Sequence, residues 1–224
     1  HGLLEQYIAL TLKNYHILAI ENKEGPLDAL RKAADCLKNV EISHSDGMNQ
    51  VSEKYDTVVL AGMGGDNIVN ILSKNPSKLE SVKHIIVDAH SFIPKVRKFL
   101  IDSGFDIDQE KIIYEYGVYY IIISFERNAQ QNSYSNNQIE FGYNLSKDPL
   151  YPEYKKYTLS KYKKVLKDMK KLNISSSIGV FTTAFIFLVV LVQFPGYFIH
   201  YLDEDYKADD ENRGFNHVIE IFRS

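Results

Sequence analysis

The chain has 224 residues, 45% hydrophobic and 25% charged, with 26 Lys and Arg against 29 Asp and Glu. Such a composition supports a buried core and excludes a disordered chain or a uniformly basic nucleic-acid binder, while leaving room for a local basic patch. A single cysteine, Cys36, excludes an internal disulfide, and seven scattered His give no cluster for zinc, so no metal is expected.

The opening HGLLEQYIALTL carries an acid and no basic stretch, so it does not read as a secretory signal. Leu4, Ile8 and Leu12 recur at helical spacing, and His16–Glu21 is a short apolar run ending on an acid. Pro26 opens a helix striped by Leu27, Leu30, Ala34 and Leu37. Two strands follow: Val40–Ser45, which alternates, and Thr57–Gly62, a continuous apolar run closed by glycine. A helix begins at Asp66, a strand covers His84–Ala89, and a further helix stops at Gly104. The next two strand-like runs, FDIDQEKIIYEYG and VYYIIISFER, have no helix between them and read as an antiparallel hairpin at one edge. Strands alternating with helices predict an α/β doubly wound domain over residues 1–127. Residues 128–138 are polar, amide-rich and aperiodic, and read as a linker.

Residues 139–172 form a basic helical region, with eight Lys between Glu153 and Lys171 and an apolar face of Tyr162, Val165, Leu166, Met169 and Leu172. Residues 173–202 carry no Asp, Glu, Lys or Arg, and 203–224 open as an acidic tail. The apolar run predicts membrane association through residues 178–199, with lysines before it and acids after it keeping the main domain cytoplasmic. A buried helix, or an altered reading frame, are the competing readings of that run.

Three sites carry chemistry. Ala61-Gly62-Met63-Gly64-Gly65 lies at the carboxyl end of a strand, where doubly wound sheets bind ligands, and its glycines permit close backbone approach. It is neither the G-x-G-x-x-G fingerprint nor a P-loop. Glu21 ends the first strand, where an acid can accept from both ribose hydroxyls. Asp46, Gly47 and Met48 follow the second strand, where an Asp can accept from an adenine amino group. Taken singly, each has an ordinary alternative: a packing turn, a solvated carboxylate, an Asp-Gly turn.

HGLL, LAIENKEGPL, SDGM, LAGMGG, the Asp88-Ala89-His90 strand end and GVYYIIIS, in this order and spacing, resemble the bacterial tRNA adenine-22 N1-methyltransferase family. The resemblance implies a class I Rossmann-like methyltransferase domain with a helical C-terminal region, S-adenosylmethionine as cofactor, tRNA as partner and a cytoplasmic location. It also implies that Glu21 binds the cofactor ribose, that Asp46, Gly47 and Met48 surround its adenine, and that Ala61, Gly62, Met63, Gly64 and Gly65 line the methyl-transfer pocket.

The chain departs from the family at its start. Members begin with a strand and a D-x-G-S/T-D-H-A/G motif, whose His corresponds to His1, so a sheet lacking its first strand is expected. Asp88-Ala89-His90 stands where the family usually has Gln-Pro-Asn, and Gly117–Ile121 loses the Lys and Glu of G-K-x-Y-E. With the upstream acid missing, His1 and His90 are the remaining catalytic candidates, although an ordinary packed or surface histidine is the commoner role. The alternative to an enzyme is a non-catalytic, membrane-tethered remnant without a complete cofactor site.

Overall fold

The computed structural model describes residues 2–12, 14–52, 54–128, 130 and 132–171. His1, the apolar run, the acidic tail and the membrane expectation for 178–199 lie outside the described residues. Among those described, no helix is long and apolar enough to cross a membrane.

The chain opens with α1 (Leu3–Thr11), β1 (Ile17–Glu21), α2 (Glu24–Ala34) and β2 (Val40–His44). Helix α2 starts two residues before the expected Pro26, which therefore sits inside its first turn; Leu27, Leu30 and Ala34 are its buried stripe. Next come β3 (Thr57–Met63), α3 (Gly65–Ser73), the short α4 (Pro76–Leu79), β4 (His84–Ala89) and α5 (Ile93–Asp102). The hairpin is β5 (Phe105–Glu115) and β6 (Val118–Arg127), followed by α6 (Asn136–Phe141), a 3-10 turn (Leu145–Lys147) and α7 (Tyr151–Lys171).

The strands form two sheets, β1-β2 in parallel and β3-β4-β6-β5. β3 and β4 are parallel, whereas β6 runs antiparallel to both β4 and β5, placing the hairpin at the edge. Among the described residues this is the doubly wound arrangement without its first strand. Among the described residues β1 pairs only with β2, and β3 only with β4. His16, just before β1, stacks on Tyr55, just before β3, at 6.3 Å between ring centroids. The two strands therefore start at the same end, with a slot between them.

The two faces of the sheet are buried by different helices. On one, Leu18, Ile20, Val58 and Leu60 join Ile68 and Leu72 of α3 and Val96 and Leu100 of α5. On the other, Val59, Ala61, Ile86 and Ile122 pack with Leu4 and Ile8 of α1. Going from β3 to β4 leads away from the slot, with α3 on the first face. Going from the slot to β1 leads in the opposite direction, with α1 on the opposite face. Opposite direction and opposite face give the same hand, the right-handed crossover that parallel sheets almost always use. Helix α1 thus sits where the crossover into β1 belongs.

The polar segment after β6 is fastened to β5. Asp106, 6% exposed, accepts from the Asn132 N–H at 3.0 Å and from its side-chain amide at 2.8 Å. Tyr134 Oη accepts from the Ile107 N–H at 2.9 Å. Within the stretch read as a linker, Ser135 and Gln138 form a reciprocal capping box that starts α6. On α7, burial pushes the Tyr162 phenol up to about 12, with Tyr154 and Glu140 adding to it, so this packed face stays neutral.

Candidate functional site

A cavity of about 910 Å³ occupies the slot and opens along the carboxyl ends of β1 and β3. Its walls bring together Glu21, Asp46, Gly47, Met48, Ala61, Gly62 and Met63, residues from three separate strand ends. The strand order reverses at this slot, and doubly wound sheets bind ligands at such switch points.

Each side chain is positioned by local chemistry. Glu21 Oε1 accepts from the Asn22 and Lys23 N–H groups, at 2.8 and 2.9 Å, which fixes the carboxylate at the mouth of the cavity. Asp46 Oδ2 is 3.0 Å from Lys74 Nζ, so this carboxylate already has a cation beside it. Gly47 has φ +58, and a Cβ there would lie 3.0 Å from Ile71 Cγ2. Met48 is a core residue at the cavity wall, only 7% exposed, and its carbonyl accepts from Lys78 Nζ.

The five residues of the glycine turn divide by role. A register shift falls between Ala61 and Met63, and Gly62, at φ +72, has open space where a Cβ would stand. A positive φ with nothing facing it is a cradle that only glycine provides at low cost. Gly64 and Gly65 do not line the cavity. The Gly65 N–H donates to Ser91 O at 3.0 Å, and a Cβ would lie 2.5 Å from that oxygen and 2.9 Å from Val96 Cγ2. Gly65 is thus a packing glycine. We expect Gly65→Ala to cost about 1–3 kcal/mol through overpacking. Gly25→Ala, with nothing within 4 Å, should be neutral or slightly stabilising. Urea denaturation of the two variants checks both.

His90 is tied to the same turn, its N–H donating to Met63 O at 3.1 Å. Its Nε2 lies 3.5 Å from Oδ2 of Asp88, a carboxylate with no exposed surface. The Tyr120 ring meets the imidazole edge-on at 5.6 Å. Two cavity residues escaped sequence reasoning, Asn67 and Asn70 of α3. Their spacing of three residues places both amides on one helix face, which was the available signal. Among the described residues there is no group of three or more His, Cys, Asp or Glu able to hold a metal ion.

A doubly wound sheet with a glycine bulge and a strand-end acid at its switch point defines a Rossmann-like domain of the methyltransferase type. The family model of tRNA (adenine(22)-N(1))-methyltransferase matches residues 1–185, and the chain belongs to that family. A tRNA (adenine(22)-N(1))-methyltransferase of Bacillus subtilis is 27% identical over 146 residues, covering 63% of this chain and 61% of its own. A Listeria monocytogenes protein superposes with a TM-score of 0.75 at 18% identity, covering 86% of each chain. A Streptococcus pneumoniae protein solved in complex with S-adenosyl-L-methionine gives 0.62 at 25% identity, covering 73% of this chain and 83% of that one. The chain spans about three fifths of the length of the curated relatives it matches.

Proposed function

We propose that this chain carries the cofactor and substrate edge of an S-adenosylmethionine-dependent tRNA adenine N1-methyltransferase acting in the cytoplasm. The observation that carries the reading is the convergence of Glu21, Asp46, Gly47, Gly62 and Met63 on one cavity at the switch point. The donor set fits the cofactor. Glu21 suits its ribose hydroxyls, Asp46 to Met48 its adenine, and the open Gly62 cradle its methyl-bearing end. When bound, the cofactor supplies an electrophilic methyl group.

Adenine N1 already carries a lone pair, so the chain's main tasks are alignment and exclusion of water rather than strong base catalysis. The apolar walls and the Ala61–Met63 bulge serve those tasks. Methylation leaves positive charge on the base, and a nearby carboxylate stabilises it. In this reading His90, which does not itself line the cavity but is backed by buried Asp88 and bonded to the Met63 carbonyl at its wall, holds or moves a proton at the base's amino group. Residues 1–127 then form the catalytic module, and 139–172 the basic region that meets tRNA.

Titration calorimetry with S-adenosylmethionine tests the cofactor site directly, and no detectable heat would return the chain to the non-catalytic reading. Glu21→Ala is expected to weaken binding by about 1.5–3 kcal/mol, the range for hydrogen bonds to a charged group. Glu21→Gln keeps an acceptor for the Asn22 and Lys23 N–H groups, so its loss of affinity reports the ligand contact rather than the turn. Wild-type affinity in both variants would remove Glu21 from the site.

A further inference from the structure

The β5–β6 hairpin turns through Tyr116 and Gly117, both at positive φ (+47 and +85), the pattern of a tight two-residue hairpin loop. Asp88, next to last in β4, pairs with Ile122 of β6. Val118, Tyr119 and Tyr120 therefore run past the carboxyl end of β4, projecting about 10 Å at roughly 3.4 Å per residue. The tip stands over the edge that holds Gly62 and His90, and the Tyr120 ring against His90 ties it there.

The other side of this tip is a row of aromatic rings. Tyr114 and Tyr119 are cross-strand partners with ring centroids 4.6 Å apart. Tyr119 in turn lies 5.0 Å from Tyr157 and 5.9 Å from Tyr154 of α7. Lys161 Nζ sits 4.6 Å over the Tyr157 ring. The row runs from the hairpin tip onto the helix that carries Lys155, Lys156, Lys163, Lys164 and Lys167, all exposed. Desolvation, then Tyr114, Glu153 and Tyr157, push the Tyr119 phenol up, which keeps the ring neutral. At the outer end Tyr114 is 54% exposed and Tyr116 76% exposed.

Large exposed rings at the ligand edge, continuous with a lysine-rich helix, match the chemistry of unpaired RNA. Bases stack on aromatic faces while cations take the phosphates. A protein partner is less well matched, because interface cores favour aromatics but are depleted in lysine. We propose that Tyr114 and Tyr116 form a stacking platform for an unpaired base of the RNA substrate, flanking the base presented to the Gly62 turn, with the α7 lysines holding the adjoining phosphates. This surface rests on the methyltransferase reading above and specifies how its substrate is gripped.

The chain contains no tryptophan, so Tyr116→Trp introduces a single reporter ring. Its emission should be quenched on adding unmodified tRNA and unaffected by inorganic polyphosphate, which has the charge but no bases. Tyr114→Ala with Tyr116→Ala should weaken tRNA binding roughly 5- to 150-fold, the equivalent of about 1–3 kcal/mol for one stacked base. The matching pair of Phe substitutions should bind as the parent does, and cofactor affinity should stay constant throughout. Unchanged tRNA affinity in the double-alanine variant, or equal quenching by polyphosphate, would overturn the platform while leaving the enzyme reading intact. Normal tRNA binding and quenching with no detectable binding of S-adenosylmethionine would sink the enzyme reading and keep the platform. A parent chain that fails to bind tRNA would refute both.

Discussion

Extending the chain ahead of His1 by an apolar strand of five to seven residues, the lengths of β1 and β3, is expected to stabilise it by several kcal/mol. The same extension should raise tRNA methylation by about 100-fold or more. Both slot walls are apolar, with Leu4 and Ile8 on one side and Leu18, Ile20, Val58 and Leu60 on the other. A strand there would be buried on both faces, as parallel strands usually are. Each buried side chain contributes about 1.5–3 kcal/mol, against about 1–2 kcal/mol per residue for ordering its backbone. Pairing the open edges of β1 and β3 adds a net contribution of about 0.5–1.5 kcal/mol per hydrogen bond. The catalytic effect has a different origin. Glu21 and Gly62 face each other across the slot, and small misplacement of binding groups can cost about 100-fold in rate. Urea denaturation and single-turnover methylation measure the two effects. Equal stability and equal turnover in the 224-residue and extended chains would show that the slot does not limit either.

Arg97→Ala should be the most damaging single substitution away from the slot, at about 3–5 kcal/mol. Arg97 is 1% exposed; its Nε lies 2.7 Å from Glu110 Oε1, and its Nη1 donates to Ile139 O at 3.0 Å. Glu110 Oε2 also accepts from the Asn144 N–H at 3.0 Å. This one ion pair fastens α5, β5 and the segment leading to α7. Removing the guanidinium leaves the buried Glu110 carboxylate without its counter-charge and the part-buried Ile139 carbonyl without that donor. Arg97→Leu with Glu110→Leu should recover only part of the loss, because Ile139 O and the Asn144 N–H would still lack partners. Denaturation midpoints of the single and double variants decide this; a loss below about 1 kcal/mol for Arg97→Ala would show the pair is dispensable. The variant should also weaken tRNA binding, since α7 depends on that anchor.

The elements themselves were legible in the sequence because their signals are local. Continuous apolar runs gave β3 and β4, a helical stripe gave α2, and two adjacent runs without a helix gave the edge hairpin. Strand-end chemistry picked out Glu21, Asp46 and Gly62, and they share one cavity because strand ends share one edge in such a sheet. The capping box at Ser135 was equally local, but a polar composition hid it.

Partner identity was decided only by the tertiary structure. The sequence puts five residues in the glycine turn on equal terms, yet Gly62 faces open space while Gly65 is pressed against Ser91. Asp46 reads as a free acceptor until the fold brings Lys74 beside it, 28 positions along the chain. The buried Arg97–Glu110 pair is invisible to periodicity, because an arginine on a helix reads as solvent-facing until a distant strand supplies its counter-charge. A residue's backbone preference travels with its own sequence; the group that satisfies its charge or fills the space beside it is set by chain folding across long separations.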